Sequence, residues 1–157
     1  MMAIQRITPF LWFDTQAEEA AQFYTSIFPN SKIVNMVRNG EGGPAPAGTV
    51  LTVEFELDGL RLVGLNGGPH FKFTEAVSFV INCDTQDEID RYWEKLTSDG
   101  GAEVECGWLK DKFGLSWQVV PSILPKLLSN PGKGKNVMQS LMKMKKLDIR
   151  ALEAAAS

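Results

Sequence analysis

Cysteine is nearly absent from these 157 residues: only Cys83 and Cys106 occur, and they form no C-x-x-C pair. That excludes a disulfide framework and a cysteine-based structural zinc site, and the thiols are expected to be reduced. Histidine occurs once, as His70. There is no basic excess either: 16 lysines and arginines face 19 acidic residues, for a net charge of -3. A chain so balanced creates no field that would gather nucleic acid or an anionic membrane. No apolar run approaches the length of a membrane span, and the start, MMAIQRITPFLWF, lacks the basic segment and cleavage site of a secretory signal. A cytoplasmic protein is expected. What is present is a 44% hydrophobic composition, enough to bury the core of a single domain over residues 1–157.

The chain reads as a repeat. Ile7 to Phe13 is an apolar strand candidate ending at Asp14, and TQAEEAAQFYTSIF follows with Ala17, Ala20, Ala21, Tyr24, Ile27 and Phe28 at helical spacing. Thr15 and Glu18 have the spacing of a capping box, and Pro29 and Asn30 stop the helix. The same grammar returns at Ala76 to Cys83, Asp84 and TQDEIDRYWEKL, with Thr85 and Glu88 as the second capping box. Asp14-Thr15-Gln16 recurs as Asp84-Thr85-Gln86, and an aromatic pair follows each, which points to duplication.

Strands are expected at Lys32 to Arg38, Thr49 to Leu57 and Leu60 to Leu65, the last two joined at Asp58-Gly59 by a two-residue hairpin. Ala102 to Leu109 and Leu115 to Val120 complete the second copy, and Gly67, Gly68 and Pro69 mark the joint. Alternation puts Leu51, Val53, Phe55 and Leu57 under the first helix and leaves Val50, Thr52, Glu54 and Glu56 on the other face. Likewise Val77, Phe79, Ile81 and Cys83 go under the second helix, while Ala76, Ser78, Val80 and Asn82 face away, with Gln118 opposite Trp117 in sidedness. Module one therefore covers about 4–66, module two about 74–121, and 122–157 is a helical tail. In that tail a lysine-rich helix from about Asn136 to Lys146 turns Val137, Leu141 and Met144 inward, and Asp148 caps a final helix.

The segments LWFDTQAEEAAQFYTSIF, GGPHFKFTEAVSFVINCDTQDEIDRYWEKL and CGWLKDKFGLSWQVVP resemble the vicinal oxygen chelate superfamily of glyoxalase I, bleomycin-resistance proteins and extradiol dioxygenases. Within it the chain is most similar to the PhnB-like branch, named 3-demethylubiquinone-9 3-methyltransferase. The resemblance covers Ile4 to about Leu152. It implies an α+β fold of two βαβββ modules with glyoxalase-like curled mixed sheets, and a homodimer. It does not imply one chemistry, because the scaffold hosts many.

Metal-dependent relatives hold a divalent ion from the first and last strands of each module. The matching places here fall near Thr8 or Pro9, at Glu54 or Glu56, near Ala76 and at Gln118, so only a glutamate and a glutamine remain. No bound metal and no cofactor are expected; an oxygen-rich site of Glu54, Glu56 and Asp111 for magnesium or manganese is the alternative. Glu54 and Glu56 are also candidate catalytic carboxylates, with Gln118 orienting a substrate, or else part of a polar pocket floor. Phe10, Trp12 and Trp108 are candidate aromatic walls for a planar ligand or else core residues, as aromatics at strand spacing usually are, with Ser78 and Gln118 as polar contacts. His70 reads as a ligand or an ordinary loop histidine, and Cys106 as a reactive thiol or a half-buried structural one.

The expected function is binding of a small molecule in a dimer cleft without metal. The alternatives are a divalent-metal lyase, isomerase or dioxygenase, and a metal-free acid/base enzyme. The methyltransferase name is not supported by these residues, since the first strand enters its helix through Asp14-Thr15-Gln16 with no glycine, and the glycines of GEGGPAPAG precede a strand.

Overall fold

A computed structural model describes residues 4–157. The chain divides into two compact units, the first ending at Lys72 and the second beginning at Phe73. Each contains the strand–helix–three-strand order expected from the repeat.

In the first unit the order is β1 (Phe10–Phe13), α1 (Ala17–Ile27), β2 (Lys32–Arg38), β3 (Val50–Leu57) and β4 (Leu60–Asn66). The sheet runs β1-β4-β3-β2, with β1 parallel to β4 and the other pairs antiparallel. Alternation works as expected: Leu11, Phe13, Val53, Phe55 and Leu57 are buried, and Ala17, Ala20, Ala21 and Tyr24 of α1 are fully covered. Each buried side chain of the size of Phe55 or Val53 stabilises the unit by about 1.5–3 kcal/mol. The helix lies close because β4 carries Gly64, where an added Cβ would come within 3.2 Å of Ala17. Asp58 and Gly59, with φ of 45° and 89°, form the tight β3–β4 turn.

The second unit contains β5 (Ser78–Cys83), α2 (Gln86–Thr97), β6 (Ala102–Glu103), β7 (Trp108–Lys110) and β8 (Ser116–Pro121), ordered β5-β8-β7-β6. The expected strand Ala102 to Leu109 is instead a hairpin. Cys106 and Gly107 take φ of 61° and 83°, reversing the chain so that β6 pairs back on β7. Val77 precedes β5 and is 65% exposed, so it does not go under α2 as alternation implied.

The tail forms α3 (Leu124–Leu128), α4 (Gly134–Leu141) and α5 (Ile149–Ala155), and Val137, Leu141, Leu147 and Leu152 make its core. The lysine-rich helix is shorter than expected, yet Val137 and Leu141 do point inward. The strap before α5 is held by polar contacts. Gln86 of α2 accepts from Ile149 N at 2.8 Å and donates to Leu147 O at 2.9 Å, and Lys146 pairs with Asp90 at 2.8 Å. On its other side the amides of Cys106 and Gly107 donate to Met144 O and Lys145 O.

Only one of the two capping boxes forms its cap. Thr85 accepts from Glu88 N at 3.2 Å, and Asp148 likewise accepts from Ala151 N. At α1 the flanking residue is Gln16 with no side-chain cap, and the amide of Ala17 donates to Asn66 Oδ1 at 2.8 Å. Thr85→Ala will therefore cost about 1 kcal/mol, whereas Thr15→Ala will cost less than about 0.5 kcal/mol. Urea unfolding of the two variants checks this pair.

Candidate functional site

A concavity of about 830 Å³ within the first unit lies where β1 ends and the glycine-rich joint passes. That volume falls in the roughly 300–1,000 Å³ range of small-molecule sites. Trp12 forms part of its wall and is fixed from three directions. Its Nε1 donates to Gly68 O at 2.9 Å, Phe71 stands edge-on with ring centroids 4.8 Å apart, and Gly67 passes directly beneath the indole. The joint is tied to the strand end, since Gly67 N donates to Phe13 O and Gly68 N to Asp14 O.

The loop between β2 and β3 also lines it, through Pro44 and Pro46. Two backbone hydrogen bonds close that loop: Asn39 N donates to Thr49 O, and Gly48 N donates to Asn39 O. The Thr49 hydroxyl donates to Pro46 O at 2.6 Å. Asn66 braces the floor, accepting from Ala17 N and donating to Val50 O at 3.1 Å. Asp14, Glu18 and the exposed His70 complete the lining. Of these residues sequence reading singled out Trp12 and His70. The Pro-Ala-Pro insertion in a glycine-rich loop was the available signal for that part of the lining.

The other expected site residues fall into two groups, each on the helix-free face of its own sheet. Phe10, 61% exposed, shares a cross-strand row with Val63 and Glu54, and Trp12 shares the next with Leu65 and Thr52. Glu54 and Glu56 converge on Arg61, at 2.8 and 3.8 Å, beside a smaller pocket of about 460 Å³. The ion pairs are partly exposed and contribute at most about 1 kcal/mol each. As general bases these carboxylates would have to leave the guanidinium. In the second unit Gln118 Nε2 donates to Ser78 Oγ at 2.9 Å, and Trp108 is the cross-strand partner of Gln118.

The donor set does not fit a divalent metal. The last strand of the first module is β4, and the helix-free face of β4 carries Arg61, Val63 and Leu65; Glu54 and Glu56 lie on β3. β1 offers Phe10 and Trp12, β5 offers Ser78 and Val80, and of the matched positions in β8 Gln118 provides one amide. Among the described residues no three of His, Cys, Asp and Glu converge. Asp111, proposed for an oxygen-rich site, is 2% exposed and engaged elsewhere: it accepts from Phe113 N at 2.9 Å, Leu115 N at 3.0 Å and Trp117 Nε1 at 2.9 Å.

The two thiols differ sharply. Cys83 is fully buried, and burial, helped by the nearby charges of Glu88 and Asp84, pushes its pKa up to about 12. Cys106 is half-buried at the hairpin turn. With an aromatic disulfide reagent at pH 8 one thiol per native chain, Cys106, will react, and two after denaturation. Because the folded-state pKa of Cys83 is raised, its contribution to stability is complete below about pH 8.5 and is lost as the pH climbs toward 12. Cys83→Ala will remove that alkaline component of the stability profile.

Residues 5–120 match the family model described as 3-demethylubiquinone-9 3-methyltransferase. A solved structure carrying the same family name, the PhnB protein from Bacillus cereus, is 40% identical to this chain. It aligns over 74% of this chain and 99% of its own length with a TM-score of 0.68. Protein PA1353 from Pseudomonas aeruginosa is 21% identical over 75% of this chain and 98% of that one, with a TM-score of 0.61. The fosfomycin resistance protein FosX from Listeria monocytogenes is 14% identical over 76% and 94%, with a TM-score of 0.51. No curated protein sequence matches the chain. The last two likenesses bear on the fold alone. No helix among the described residues is long and apolar enough to cross a membrane.

Proposed function

The chain belongs to the 3-demethylubiquinone-9 3-methyltransferase family, the PhnB-like branch of the vicinal oxygen chelate superfamily, and from that premise we propose that it is a metal-independent binding protein for a small planar molecule. The observation that carries this reading is the pocket of about 830 Å³ with Trp12 pinned as its wall. A wall held by one hydrogen bond, one edge-on ring and one close backbone contact is preorganised, which removes ordering cost from binding.

The family name's methyl-transfer chemistry finds no support in these residues. Gly67 and Gly68 pack against Trp12, and the Gly-rich β2–β3 loop joins two antiparallel strands, so neither opens a helix toward a cofactor phosphate or adenosine. Acid/base catalysis by Glu54 or Glu56 is weakened as an alternative by their pairing with Arg61. A cytoplasmic homodimer is part of the reading. Phe10, Val37 and Val80 leave apolar surface on the helix-free sheet faces that a second copy would cover, and light scattering of the purified chain checks it.

Two-dimensional NMR with a panel of planar fragments tests the site directly. The indole N–H of Trp12 and the amides of Gly67, Gly68 and Thr49 will shift together on binding. Shifts confined to Trp108, Ser78 and Gln118, or none at all, would contradict the assignment.

A further inference from the structure

The charge of the Trp12 pocket narrows what it would hold. Its walls are largely apolar, through Trp12, Pro44, Pro46 and Leu65, but Asp14 and Glu18 also line it. Asp14 closes β1, and Glu18 lies in the first turn of α1, so both carboxylates sit at the same end of the unit. Among the described residues no lysine or arginine lies within ion-pair distance of either one. The start of α1 contributes only about half a positive unit, and His70 is the one other titratable group of the lining. The lining is therefore acidic beside an aromatic ring.

Each class of ligand meets this arrangement differently. An anion would face both carboxylates. A neutral ligand would strip water from them and return nothing, a cost that grows as the site dries. A cation would offset the carboxylates while its flat body packs on the apolar walls. We propose that the ligand of this pocket is an organic cation with a flat apolar body, a quaternary or protonated amine on an aromatic or heteroaromatic frame. The proposal rests on the reading of the pocket as a binding site and adds its ligand class.

Three nearly isosteric probes separate the two claims: N-methylquinolinium, neutral 1-methylnaphthalene and anionic 1-naphthoate. Their affinities for the full chain are measured by ligand-observed NMR. At roughly 20 mM salt N-methylquinolinium will bind at least about tenfold more tightly than either of the others, and that advantage will shrink at roughly 500 mM salt. The combined Asp14→Asn and Glu18→Gln change will weaken N-methylquinolinium by about tenfold while leaving 1-methylnaphthalene within about twofold. The salt dependence is read on the unaltered chain, so the test stands even if the double variant folds poorly. If 1-methylnaphthalene or 1-naphthoate binds as tightly as the cation, the ligand class is overturned and the pocket reading survives. If none of the three binds, both are overturned.

Discussion

Gly67→Ala will destabilise the protein by about 1–3 kcal/mol and abolish fragment binding at the Trp12 pocket. The reason is a collision. An added Cβ would lie 2.3 Å from Trp12 Cζ2 and 2.4 Å from Cε2, inside any tolerable contact. The indole would have to swing away, breaking its hydrogen bond to Gly68 O and its edge-on packing against Phe71. Gly40→Ala is the control, because nothing lies within 4 Å of that Cβ, and it will change stability by less than about 0.5 kcal/mol. Adding Trp12→Val to Gly67→Ala relieves the collision, so the double variant will recover much of the stability without recovering binding. That non-additivity, read by urea unfolding, identifies the Gly67–Trp12 contact as the cause.

Asp111→Ala will cost about 3–5 kcal/mol, the largest single loss expected in the second unit. The carboxylate is 2% exposed and accepts from two backbone amides and the Trp117 indole, and all three donors would lose this acceptor. Asp111→Asn keeps an oxygen for the amides but turns an N–H toward either an amide or the indole, so about half of the loss remains. A metal-ligand role for Asp111 would show the opposite pattern, a fold that tolerates the asparagine while metal affinity collapses. Urea unfolding followed by tryptophan fluorescence distinguishes them, since Trp117 reports on the contact itself.

How far the sequence reaches is best seen where it repeats. Asp14-Thr15-Gln16 and Asp84-Thr85-Gln86 are identical, yet only Thr85 caps its helix. What differs is what arrives from a distance. Asn66 supplies the oxygen that the first helix needs, and Gln86 is recruited by the tail through Leu147 and Ile149. Local patterns give the strand and helix positions and the buried faces, because alternation and helical spacing are local physics. The β6–β7 hairpin was hidden because Cys106 adopts a positive φ that its side chain does not advertise, although Gly107 beside it was a visible hint.

The site was legible in its aromatic part and not in its polar part. Trp12 could be named because a large ring on a sheet's helix-free face needs a use. The acidic lining could not, since Asp14 and Glu18 read as strand end and helix start until the fold brings Pro44 and Pro46 into the same lining. Glu54 and Glu56 attracted attention as candidate catalytic carboxylates, and their engagement by Arg61 depends on the β3–β4 register. Asp111 was open to a better reading. Its hydrogen bonds run to residues two, four and six positions on, a local turn that the Asp-Lys-Phe-Gly sequence itself signals.

The central claim is that this chain binds a planar small molecule at the Trp12 pocket without a metal. Ligand-observed NMR of a planar-fragment panel, run on chelator-treated, tag-free protein beside Trp12→Ala, tests it most directly. The account predicts fragments that bind in the presence of chelator and lose binding in the variant. Fragments that bind only after a divalent ion is added, and that are lost with Glu54→Gln or Gln118→Ala instead of Trp12→Ala, would contradict it.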